Sequence, residues 1–287
     1  PFLVMEFITA NTCSMFLVIG NPTNIYIASA FNIGFTEYLK VMVLPTLVAT
    51  IVSLITLLLI FKKQLSKPII IDNYQESKIK NITLTIISII HLLLCTIILS
   101  ISSYISIDMW LVTLIFCVSL SVFLFLCYIR NKNNTLLFKV YKRLPYTLGI
   151  FVLSMFIIVL ALEYHNITQI FARALNSISS NSLSSTLTYG ISSTIFDNVM
   201  NNIPMSLYYT SVMLNSEIIN GINIYSVIIG SNIGAFLTPI GALAGMMWMH
   251  ILKNQNIKFS FFDFSKYGFK ICLPILLSSL LMLWLII

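Results

Sequence analysis

Charged residues are scarce in this chain. Of 287 residues only 9% are Asp, Glu, Lys or Arg, against roughly 25% in an ordinary soluble domain. So few charges would not cover the surface of a soluble fold of this size, and the mean hydropathy of +0.96 agrees. Cysteine is sparse as well: five residues, odd in number and unpatterned, exclude an extracellular disulfide scaffold. Disorder requires the opposite composition. The chain opens Pro-Phe-Leu, with neither Met nor a basic stretch ahead of a short apolar core, so no signal peptide is expected. That opening lies inside an apolar run, and the sequence is expected to be the later part of a longer chain. With 58% hydrophobic residues, what remains is a polytopic membrane protein embedded in a lipid bilayer.

Segments free of Asp, Glu, Lys and Arg run over 7–36, 41–61, 81–107, 109–129, 144–162, 174–196, 198–216, 218–252 and 271–287. Several match the ~20 residues that cross a bilayer as a helix. Their apolar residues are continuous and do not alternate as barrel strands would, so the expected fold is all-α. The net charge of +7 does not argue for nucleic acid, because the basic residues gather in short loops. The loop 62–80 carries five lysines and two acids, 130–143 five basic residues and no acid, and 253–270 four lysines and one acid. By contrast, 103–108 has no basic residue and 163–173 has one charge of each sign. The basic loops are therefore expected to face the cytoplasm.

Two segments do not read as simple spans. The stretch 174–216 is rich in Ser, Asn and Thr and breaks at Asn201-Asn-Ile-Pro204, as a re-entrant hairpin would. The stretch 218–252 is interrupted by Gly230-Ser-Asn-Ile-Gly234 and by Thr238-Pro-Ile-Gly241, as a spanning helix with an unwound centre would be. Such backbone at membrane depth is tolerated only where protein buries it or water reaches it. There is also an internal echo. Leu17-Val-Ile-Gly20 resembles Val227-Ile-Ile-Gly230, and Phe35-Thr-Glu-Tyr38, followed by Leu44-Pro45, resembles Phe264-Ser-Lys-Tyr267, followed by Leu273-Pro274. The helix after Pro45 runs into a basic loop and the helix after Pro274 runs out of one, so the copies are expected to be inverted. Inverted repeats with broken helices are the build of a secondary transporter. The expected organisation is 1–62 as the end of a first repeat, 63–143 as basic loops and scaffold helices, and 144–287 as the second repeat.

These motifs resemble the arsenite efflux pump family of the ion transporter superfamily. The resemblance rests on Asp197-Asn-Val-Met-Asn-Asn-Ile-Pro204, on Gly230 to Gly241 with Ala242-Leu-Ala and Trp248-Met-His250 after it, and on Ile19-Gly-Asn-Pro-Thr-Asn24. It covers nearly the whole chain and is weakest over 63–143. It implies ten transmembrane helices with two hairpins in two inverted repeats, the start of the first repeat missing here. It also implies export of arsenite or antimonite across the cell membrane, driven by protons or by an ATPase subunit. Many members carry Asp where Asn11 stands, in Ala10-Asn11-Thr12, and Asp197 stands where a small polar residue is expected.

The residues give a consistent chemistry. Arsenite at neutral pH is a small uncharged trihydroxide that needs short hydrogen-bonding groups and free backbone amides. Asn21, Thr23, Asn24, Asn201, Asn202, Ser231, Asn232 and Thr238 offer such groups. Gly20, Gly230, Gly234 and Gly241 let the backbone open, while Pro22, Pro204 and Pro239 remove amide donors, so these seven are the expected break positions. Asp197 lies beside the hairpin break with no basic residue near in sequence, and a carboxyl group held away from water is a candidate proton carrier. Glu6 lies at the chain's start. His91 reads as a helix-packing residue, and His165 and His250 as interfacial. The cysteines (13, 95, 117, 127 and 272) form no ligand pair, and the histidines no metal spacing, so no metal or other cofactor is expected. Phosphate-binding loops, Gly-x-Ser-x-Gly and His-Glu-x-x-His are all missing, so an enzyme is not expected. Three alternatives stay open: a carrier of another anion such as a dicarboxylate or sulfate, a sodium/proton antiporter, or an inactive truncated member.

Overall fold

The computed structural model describes residues 1–68, 81–102, 104–105, 107–130, 136–144, 146–216 and 220–287. Among these residues every regular element is helical. The basic-loop reading at 62–80 falls largely outside them, as do 131–135 of that at 130–143 and the start of the 218–252 stretch, while 136–143 is helical. The chain forms two compact units. One joins 1–68 with 151–287; the other is 69–150.

In the first unit, α1 (Phe2–Ser14) stops, a 310 turn (Val18–Gly20) follows, and α2 (Pro22–Ala30) begins. Asn21 is the hinge. Its backbone is extended, its side chain accepts the Thr23 amide as an N-cap, and Pro22 occupies the first helical position, where no partner for its nitrogen is lost. Next comes α3 (Phe35–Leu65), long enough and apolar enough to cross a membrane, with Pro45 inside it. The same succession recurs near the other end. α11 (Gly221–Gly234) stops, 235–242 is non-helical, α12 (Leu243–Asn254) follows, and then α13 (Phe261–Ile286), a second membrane-length helix, with Pro274 inside. α3 and α13 pack along each other. Each also closes over its own break. The Tyr38 hydroxyl of α3 donates to the Met15 carbonyl at 3.0 Å, and Gly268 of α13 lies so close to the carbonyls of Phe236 and Leu237 that a side chain there would collide.

Between these halves lie α7 (Thr147–Tyr164), α8 (Ile167–Ile178), α9 (Ser182–Met200) and α10 (Asn202–Leu214). Asn166, in the left-handed conformation, turns the chain between α7 and α8. A capping box between Asn181 and Ser184 starts α9, which packs along α11. The apolar run expected from residue 174 is therefore the end of α8, and the helix pair begins at Ser182. The last helix also starts earlier than the charge-free run from 271 suggests. Ser260 and Asp263 form a capping box ten residues before it, so Asp263 begins the helix where its charge suits the N-terminus.

The second unit contains α4 (Ile82–Ser102) and α5 (Met109–Arg130), both membrane-length, and the short α6 (Leu136–Arg143). His91 lies between the first two. Its Nε2 is 2.9 Å from the Phe116 carbonyl and 3.1 Å from the Ser119 hydroxyl, a packing role.

Two break positions need correction. Gly230 lies inside α11, a full turn before its end, so it is not a break. It is a close-packing glycine: an added Cβ would meet the Ser193 hydroxyl and lie 2.6 Å from the Gly190 carbonyl of α9. The break falls instead at 235–242, around Thr238, Pro239 and Gly241. Pro204 sits in the first turn of α10, where proline is compatible with the helix. The interruption before it is at Asn201, whose φ of 80° lies in the left-handed region.

Candidate functional site

Asn232, near the end of α11, faces the first break. Its Oδ1 accepts from the Ser14 hydroxyl at 2.7 Å and from Asn21 Nδ2 at 3.1 Å. Its Nδ2 donates to Asn24 Oδ1 at 2.7 Å and to the Ile228 carbonyl at 2.8 Å. Beside it the Ser231 hydroxyl donates to Thr23 Oγ1 at 2.9 Å. Asn24 in turn donates to the Ser14 carbonyl, at the end of α1, and to the Leu17 carbonyl, which also accepts the Gly20 amide. Five residues expected to act together thus meet in one buried cluster, although more than 200 residues separate the two segments. Ser14 belongs to the cluster too, and nothing set its hydroxyl apart from that of Thr12 two residues before it.

A second cluster holds the second break. Asn198 of α9 donates to the carbonyls of Thr194 and Gly234, while its Oδ1 accepts from the amide and the hydroxyl of Thr238 at 2.9 and 2.7 Å. Asn201 donates from Nδ2 to the Ile240 carbonyl, and the Asn202 amide donates to the Gly241 carbonyl. Asn201 and Thr238, both expected, are therefore engaged with each other's segments. Asn198 organises them and was missed, because one Asn in a run of Asn residues carries no distinguishing signal.

Between the two clusters opens a cleft of about 400 Å³. Three helices begin on it: α2 at Pro22, α10 at Asn202 and Ile203, and α12 at Leu243 and Ala244. The amides of Leu243 and Ala244 have no partner among the described residues, since α12 carries no side-chain cap. Asn202 is 6% exposed, lines the cleft, and uses neither side-chain oxygen nor nitrogen on the protein. Asn21 also lines it and keeps half of its amide capacity. No charged side chain lines the cleft. Such a surface offers oriented N–H dipoles and neutral amides to a small oxygen-rich ligand.

Asp197 is elsewhere. It lies one residue before Asn198, on α9, fully buried against Gly234, and neither carboxyl oxygen has a partner among the described residues. The five cysteines are free, and the described residues contain no group of metal-ligating side chains.

Interrupted helices, membrane-length apolar helices and a polar cleft between the interruptions define a multi-pass helical protein of the cell membrane. The model of the arsenical pump membrane protein family matches residues 1–287, and the chain belongs to that family. It is similar to an arsenical pump membrane protein of Escherichia coli, 28% identical over 285 residues, covering 97% of this chain and 65% of that one. One of Yersinia enterocolitica is 28% identical over 287 residues with the same coverage. A putative arsenical pump membrane protein of Bacillus subtilis is 31% identical over 144 residues, 48% of this chain and 31% of its own. The chain thus spans a little under two thirds of the length of the first of these relatives. No solved structure matches it.

Proposed function

We propose that this protein is a secondary carrier, not an enzyme, that exports arsenite or antimonite across the cell membrane, with the cargo held in the cleft between the two breaks. The observation that carries this reading is the meeting of three helix N-termini and the unspent amide of Asn202 around a small cleft without charge. A neutral trihydroxide both donates and accepts hydrogen bonds. Asn202 and Asn21 match that need, and the Leu243 and Ala244 amides supply further donors. A dicarboxylate would want fixed positive charge there, which disfavours that alternative. Thr23, Asn24, Ser231 and Asn232 hold the cleft's wall rather than the cargo, and Asn201, Thr238, Pro239 and Gly241 shape its other side. The helix–break–helix unit and its recurrence are read as an inverted pair, with α9 and α10 as a re-entrant hairpin. Export is coupled to protons through Asp197.

The test is arsenite accumulation in everted membrane vesicles, with citrate and sodium as competing cargoes. Arsenite uptake is expected, and Asn202→Ala is expected to lower it at least tenfold at an unchanged amount of protein in the membrane. Full uptake by Asn202→Ala would remove this cleft as the binding site, and uptake of citrate in place of arsenite would remove the cargo.

A further inference from the structure

Where α12 gives way to α13, a groove of about 470 Å³ is lined by His250, Lys253, Asn256, Lys258 and Phe259. Helix ends often spend nearby lysines on their last carbonyls. Here the backbone does that work: the Ile257 amide donates to the Leu252 carbonyl and the Asn256 amide to that of Lys253, with Asn256 in the left-handed conformation. Lys253, Lys258 and His250 consequently have no hydrogen-bond or ion-pair partner among the described residues. The one acid between residues 242 and 287 is Asp263, and its carboxylate is engaged by the amide and hydroxyl of Ser260 at 3.0 and 2.6 Å. No acid lines the groove, so nothing within it offsets its two lysines.

Its depth in the membrane is marked independently. Phe259 forms the groove's apolar wall and stacks on Tyr267, with ring planes 10° apart, and meets the edge of Trp248 at 5.5 Å. Tyr267 continues to Phe61 at 5.2 Å. A Trp–Tyr–Phe cluster at the end of membrane-length helices is the pattern of the interface between headgroups and acyl chains. On the flanks Ile251, Ile257, Phe261 and Phe262 are exposed, Phe262 at 82%. A soluble anion would use the cations and leave these apolar side chains in water. An anionic lipid uses both.

We infer that this groove is a binding site for the phosphate headgroup of an anionic glycerophospholipid, with Lys253, Lys258 and His250 around the phosphate and acyl chains along Ile257 and Phe262. The site is separate from the cleft, and it stands whether or not the cargo is arsenite.

The protein has three tryptophans, so Trp110→Phe with Trp284→Phe leaves Trp248 as the reporter beside Phe259. In nanodiscs of phosphatidylcholine, brominated phosphatidylglycerol is expected to quench Trp248 more than brominated phosphatidylcholine at the same mole fraction. Each of Lys253→Ala and Lys258→Ala is expected to cut that preference up to about fivefold, the worth of one lysine near an anionic surface. Lys253→Arg with Lys258→Arg should keep it, which separates lost charge from lost fold. Equal quenching by the two lipids would overturn the inference, as would a preference that survives the double alanine variant. So would a preference erased by inorganic phosphate at constant ionic strength, since the groove would then take a free anion.

Discussion

Asn232 spends its whole side-chain amide on the protein: two bonds accepted by Oδ1 and two donated by Nδ2. Nothing is left for a ligand. Asn202 spends none of its amide, yet it is nearly as buried. Chemically identical side chains therefore do opposite work, one locking the first break to α11 and the other facing the cleft. Truncating the lock strands Asn21 Nδ2 and Asn24 Oδ1, while the Ser14 hydroxyl keeps the Asn11 carbonyl, and each stranded buried group costs about 1–3 kcal/mol. Asn232→Ala is expected to lower stability by roughly 3 kcal/mol, seen as a clear fall in melting temperature in detergent. Asn202→Ala should leave the melting temperature within a degree or two of the parent while lowering arsenite uptake at least tenfold. The sequence spells both as Asn beside a break, so the cluster was legible as a set of residues, and the division of labour within it was not. Only the hydrogen-bond count separates them.

At the scale of elements, the two long proline-containing helices, the first break and the polar second break could be read directly, because Pro, Gly and Asn concentrate where a helical ladder ends. Gly230 shows where that reading fails. Glycine in a membrane helix marks either an opening backbone or a backbone in close contact, and periodicity does not distinguish them. The start of α13 was hidden for another reason: its first turns carry Asp263, Lys266 and Lys270, which a rule built on charge-free runs discards, although a capped helix end accommodates such residues. The contact of α9 with α11 gives a test at this scale. In Gly230→Ala the new methyl meets a backbone carbonyl that cannot step aside, so a loss of about 1–3 kcal/mol is expected. In Gly234→Ala it meets the Asp197 carboxylate, 2.6 Å away, a side chain that can be removed. Gly234→Ala should therefore be markedly less harmful in an Asp197→Ala background, with a coupling of roughly 1–2 kcal/mol in a double-mutant cycle. Gly230→Ala should gain no such relief.

For the whole molecule, the proposed proton coupling has to tie a cleft without charge to a gradient of charge. Asp197 does not line the cleft, but it is not remote from it: the next residue, Asn198, holds Gly234 and Thr238, and Asn201, whose amide donates to the Asp197 carbonyl, holds Ile240. One turn of α9 thus carries both the unpartnered carboxyl group and the clamp on the second break. A carboxylate that is buried without a partner is costly when ionised, so taking up or releasing a proton at Asp197 must be accompanied by a change in its surroundings. The nearest surroundings are Gly234 and the segment that Asn198 restrains. Coupling by this route makes a separable claim about transport. Asp197→Asn keeps the shape and removes the ionisation, so vesicles carrying it should still bind and exchange arsenite across the membrane. They should fail to accumulate it when a pH gradient is imposed, and their exchange rate should not change with pH. Gradient-driven accumulation at the parental level in Asp197→Asn would move the coupling group elsewhere and leave the cleft, tested through Asn202, unaffected.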